Sequence, residues 1–78
     1  MATDSEFAKH HRIASETVLR ASRSSDPKSQ CSNLREARES GKRARSQASN
    51  MLEDMLALGL IHAVDNLLAV LDEGSCDG

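Results

Sequence analysis

The chain has 78 residues, a formal net charge of −2 and a hydrophobic content of 38%. This length accommodates one small domain, and so small a domain needs additional stabilisation from a disulfide, a metal or oligomerisation. Phe7 is the only aromatic residue in the sequence. The chain therefore has no set of aromatic rings on which the bases of a single-stranded nucleic acid could stack.

Charge and large apolar residues are unevenly distributed along the chain. Residues 1–50 contain ten basic and six acidic residues, a balance of +4, whereas residues 51–78 contain six acidic residues and no Lys or Arg. Twelve large apolar residues fall between positions 51 and 71, against five in residues 2–50. The two parts are therefore expected to have different physical roles.

The first predicted element is a helix over about residues 4–24, capped by Asp4 or Ser5. Its apolar positions recur at steps of 4, 3, 4 and 3, which is one helical face; they are Phe7, His11, Ala14, Val18 and Ala21. A turn over residues 25–28 follows, because Pro27 disfavours a helical conformation at Asp26 and suits the first turn of a new helix.

A heptad pattern predicts a second, long helix over about residues 28–73, followed by a loose tail over 74–78 with Gly74 near the helix end. The pattern runs through Leu34, Ala37, Gly41, Ala44, Ala48, Met51, Met55 and Leu58. We expect this seam to pack against the first helix in an antiparallel hairpin. In that arrangement Met51, Met55 and Leu58 complete the contact with the protein's own first helix.

A break near Ser49-Asn50 is the alternative to one continuous helix. Asn50 is followed three residues later by Glu53, the spacing of a capping box at a helix start. No Gly or Pro marks a loop at this point. A kink would reconcile the two interpretations.

A second apolar stripe in the last third of the chain predicts an interface. The first helix is too short to bury this stripe, and the simplest way to bury it is to pack it against the same helix of a second chain. The fold class is therefore all-α, a hairpin that forms a homodimer with a four-helix-like core. The predicted dimer or partner-binding residues are Leu52, Leu56, Leu60, Val64, Leu67 and Leu71.

A basic stripe on the second helix is the clearest polar feature. It consists of Arg35, Arg38, Lys42 and Arg45, at steps of 3, 4 and 3. Such a stripe could bind an acidic protein surface or nucleic-acid phosphates. A solvated helix face is the simpler explanation, and Glu39 lies four residues before Arg43, as in an ordinary intrahelical ion pair.

Metal binding, cofactor binding and catalysis find little support in the residue pattern. His10, His11, His62, Cys31 and Cys76 show none of the paired spacings of a structural zinc site. Neither cysteine has a histidine nearby in the sequence, and there is no Gly-rich phosphate loop. We therefore expect no metal, no cofactor and no enzymatic activity.

The sequence predicts a reduced, cytoplasmic protein that does not span a membrane. Residues 1–11 lack the apolar segment of a signal peptide, and the cysteine spacing resembles no disulfide framework. Charged residues interrupt the apolar stretch, which makes membrane insertion costly. The expected function is that of a non-enzymatic protein-protein interaction module, such as a regulator, an inhibitor or a chaperone-like adaptor. The alternative is a helical dimer that binds nucleic acid through the basic stripe.

Overall fold

The computed structural model describes residues 5–71, and this part of the chain contains three helices and no strand. The helices are α1 (Glu6–Arg23), α2 (Pro27–Ser46) and α3 (Met51–Val70). They run up, down and up, with α2 in contact with both neighbours and few contacts between α1 and α3. The all-α prediction is confirmed.

Side-chain caps fix the starts of α1 and α2. The Ser5 hydroxyl accepts a hydrogen bond from the Ala8 amide at 3.1 Å, as the predicted N-cap of α1. Asp26 caps α2 by accepting from the Ser29 amide, and Pro27 occupies the first helical turn. The turn occupies residues 24–26, slightly earlier than the predicted 25–28, because the Asp26 cap lets α2 begin at Pro27.

The prediction of one continuous helix over 28–73 is wrong, and the alternative of a break at Asn50 is confirmed. Residues 47–50 are not helical. The Asn50 side chain accepts from the Glu53 amide at 2.9 Å, and the Glu53 carboxylate accepts from the Ser49 amide at 2.9 Å. This reciprocal capping gives the backbone donors at the start of α3 their partners, so a helix can begin here without Gly or Pro.

The end of α3 also differs from the sequence prediction. The helix ends at Val70, with Leu71 as its C-cap. The tail predicted over 74–78, with Gly74, lies outside the described residues.

Asn50→Ala is expected to lower the free energy of unfolding by about 1 kcal/mol, because it removes the cap of α3. Urea denaturation followed by circular dichroism measures the change. Asn66→Ala is the matched control, since Asn66 lies exposed in the interior of α3 and Ala is the better helix former. Equal destabilisation by both variants would contradict the capping role of Asn50.

The core between the helices consists largely of alanine. Of the ten buried hydrophobic residues in the described part of the chain, half are alanine, and the rest include Phe7, Leu34, Ile61 and Val64. One cluster joins Val64 of α3 to Ala21, Leu34 and Ala37, and a second joins Phe7 to Ala44 and Ala57. Small side chains let the helix axes approach closely, so the interior is thin.

The prediction that the whole seam packs against the first helix is wrong, since Gly41 packs against Ile61 of α3 and the methionines of α3 are exposed. The four seam residues of α2 are buried, whereas Met51 is 77% exposed and Met55 is 62% exposed. The chain reverses over residues 47–50, so α3 packs on α2 instead of extending along α1. The buried positions of α3 lie at steps of four and three, on the opposite side from the methionines; they are Ala57, Ile61 and Val64.

The oxidation state of Cys31 differs from the expectation of reduced cysteines. Cys31 is 2% exposed and is disulfide-bonded. The other cysteine of the sequence, Cys76, lies outside the described residues. The cysteines therefore no longer support the prediction of a reducing compartment. Within residues 5–71, no helix is long and apolar enough to cross a membrane.

Candidate interaction surface

An apolar stripe runs along the exposed side of α3. We call it the outer face of α3; its members are Leu52, Leu56, Gly59, Ala63, Leu67 and Val70. Their steps of 4, 3, 4, 4 and 3 keep them on one side of a helix. Leu52 is 69% exposed and Val70 is 84% exposed, and Leu56 and Leu67 are about half exposed.

The structure divides the predicted dimer stripe. Leu52, Leu56 and Leu67 are exposed, as that prediction requires. Leu60 and Leu71 are half-buried, and Val64 is fully buried in the core. The expectation that no part of this chain covers Val64 is therefore wrong.

Rotation around the helix explains the error. Each residue of an α-helix turns by about 100°, so a step of four overshoots a full turn by about 40°. The predicted stripe contains three successive steps of four, from Leu52 to Val64, and therefore moves from the outer face to the buried face. Val70 belongs to the outer face and was missed by the sequence analysis, although a helical-wheel projection of α3 would have found it.

The outer face carries no charged side chain. The acidic residues of α3 lie on its other sides, where they pair with arginines of α2 or cap the helix. The Asp54 carboxylate accepts from Arg45 Nε at 3.0 Å, and the Asp65 carboxylate accepts from Arg38 at 3.3 Å. Glu53 caps the helix. The exposed polar residues of α3 are His62, Asp65 and Asn66. His62 and Asn66 lie toward one margin of the outer face.

Two residues of the predicted basic stripe join α2 to α3. Arg38 and Arg45 pair with the α3 carboxylates described above, and Lys42 lies 3.7 Å from the Glu39 carboxylate within α2. Arg35 instead lines a groove between α1 and α2. Nucleic-acid binding by the whole stripe would require Arg38 and Arg45 to leave their α3 carboxylates.

A groove runs between α1 and α2 on another part of the surface. It has a volume of about 910 Å³ and contains Cys31 and side chains of both charges. The acidic lining residues are Glu16, Glu36 and Glu39, and the basic ones are Arg20, Lys28, Arg35 and Arg43. All the residues that line it belong to α1 and α2, so it is separate from the outer face of α3.

The histidines do not form a shared site. Phe7 and His11 stack with ring centroids 5.5 Å apart, and His10 lies 3.6 Å from Glu6. His62 is exposed on α3. Among residues 5–71, no group of three His, Cys, Asp or Glu side chains could hold a metal ion.

The two surfaces thus differ in chemistry, since one is apolar and uncharged and the other is a groove of mixed charge. No family model, curated protein or solved structure matches the chain, so its own residues carry the functional argument.

Proposed function

We propose that this chain is a non-enzymatic protein-protein interaction module that self-associates through the outer face of α3. The observation that carries the proposal is the continuous, uncharged apolar surface along this helix. A contiguous exposed apolar surface on a small protein marks an interaction site more often than a solvated face.

The distribution of large side chains supports this role. Among residues 5–71, eight large hydrophobic residues are exposed, and six of them lie on α3. Half of the buried hydrophobic positions are alanine. Full burial of a Leu or Val side chain contributes about 1.5–3 kcal/mol of stabilisation. The exposed side chains of α3 provide this stabilisation only when a partner buries them.

The chemistry of the outer face favours an identical partner. A face without charge offers nothing to select a charged protein surface, and α3 has no Lys or Arg to contact anionic lipid headgroups. A two-fold dimer uses the same patch on both subunits. Because this patch is uncharged, two copies can pack together without electrostatic repulsion.

The groove between α1 and α2 supports the second part of the proposal, which is docking on another protein. Its mixed charge suits a polar partner surface with complementary charges, and it stays separate from the α3 face in a dimer. In this proposal the protein acts as a regulator, inhibitor or adaptor whose dimer presents two copies of the groove.

Leu56→Asp tests self-association, with Leu19→Asp as a matched control. Leu56 is 50% exposed on α3 and Leu19 is 54% exposed on α1. We expect Leu56→Asp to weaken the dimer at least about 100-fold, because each copy would bury an unpaired carboxylate. Leu19→Asp should leave the dimer intact.

Sedimentation velocity over a concentration series, with and without reductant, measures the dissociation constant, and circular dichroism confirms that both variants keep their helices. A wild-type protein that remains monomeric at about 100 μM, or equal effects of the two variants, would refute the proposal.

A further inference from the structure

We infer that two copies of α3 pack antiparallel and cross at Gly59 and Ala63. The inference rests on the proposed self-association and specifies its geometry. It follows from the order of large and small residues along the outer face and from the position of the acidic residues of α3.

The outer face is nearly symmetric about its midpoint, position 61. Leu52 and Val70 each lie nine residues from this point, and Gly59 and Ala63 each lie two residues from it. Leu56 and Leu67 lie five and six residues away. A two-fold axis perpendicular to α3 at this point therefore places Leu52 against the partner's Val70, and Gly59 against the partner's Ala63.

The small residues at the centre allow the two helices to come close. A Cβ atom added at Gly59 would meet no other atom within 4 Å, so the space above this residue is open. Small residues four positions apart allow close approach of helix backbones. The chain already uses glycine in this way inside the protomer, where a Cβ added at Gly41 would lie 3.0 Å from Ile61 Cγ1.

The acidic residues of α3 favour the antiparallel direction. Its first turn contains Glu53 and Asp54, and its last turn contains no basic residue. A parallel pair would bring both acidic turns to the same end. An antiparallel pair places Glu53 level with the partner's Ala69, so the two acidic turns are about 24 Å apart along the axis. This exceeds the screening length of about 8 Å at physiological ionic strength, and the helix dipoles then run in opposite directions.

Pulsed electron resonance between two copies labelled at position 69 measures the direction of packing. Ala69 is exposed in the last turn of α3, and a spin-labelled noncanonical residue there leaves the native cysteines unmodified. An antiparallel pair separates the labels by about 24 Å or more, given 1.5 Å per residue over 16 residues. A parallel pair brings them within about 15 Å.

Gly59→Leu gives an independent readout. The added side chain has open space in the protomer but occupies the crossing point, so we expect at least about tenfold weaker dimerisation with the helical content retained. Gly59→Ala should have little effect on association. A dimer with the short label distance would overturn the antiparallel direction, and a Gly59→Leu dimer of wild-type affinity would overturn the crossing at Gly59. An absence of any dimer would instead refute the proposed self-association.

Discussion

Val64→Asp should unfold the protein at room temperature. Val64 is fully buried and belongs to the cluster that joins all three helices. An unpaired carboxylate at this position costs several kcal/mol, which matches or exceeds the stability expected of a domain this small. Circular dichroism should show loss of the helical signal, and the cooperative thermal transition should disappear.

Val70→Asp is the matched control, since it makes the same substitution in the same helix at a residue that is 84% exposed. We expect the free energy of unfolding of the monomer to change by no more than about 0.5 kcal/mol. Because Val70 belongs to the outer face, this variant should weaken association while it keeps the fold. Unfolding by both substitutions would contradict the orientation of α3.

Gly41→Leu and Gly59→Leu should change monomer stability in opposite directions. At Gly41 the nearest atom, Ile61 Cγ1, lies 3.0 Å from an added Cβ and is part of the buried core. We expect Gly41→Leu to lower the free energy of unfolding by about 1–3 kcal/mol through overpacking. At Gly59 the added side chain is unobstructed, and the better helix propensity of Leu should add up to about 1 kcal/mol.

Both glycine variants are best measured by urea denaturation in the Leu56→Asp background, where association does not contribute to stability. The comparison tests the packing of α2 against α3 with identical chemistry at the two sites. A stabilising Gly41→Leu, or a Gly59→Leu variant as destabilised as Gly41→Leu, would mean that the two faces of α3 are assigned the wrong way round.

The sequence predicts the helical class and the starts of the first two helices to within a residue or two. Ser5, one of the two predicted caps of α1, and Pro27, predicted in the first turn of the second helix, act locally and depend little on tertiary contacts. The capping box at Asn50 and Glu53 is equally local. It was the alternative interpretation because a heptad register continued through residues 47–50, and a register cannot distinguish one helix from two.

The surface of α3 was less predictable because this helix is apolar on two sides. In α1 and α2 a single apolar face identifies the core. In α3 either Val64 or Leu56 could face inward, and the choice depends on the direction in which α3 leaves the turn at Asn50. The pairing of Arg38 with Asp65 was unpredictable for the same reason. These residues are 27 positions apart and meet only because the chain reverses between α2 and α3.

The alanine-rich core changes how the protein should be mapped by mutation. Within residues 5–71, five of the ten buried hydrophobic positions are already alanine. An alanine scan makes no change at these positions and would report a tolerant interior. The informative substitutions are those that enlarge the side chain, because closely spaced helices have no room to accept added atoms. Sequence drift in this protein should therefore be limited more by the maximum size than by the minimum size of its interior residues.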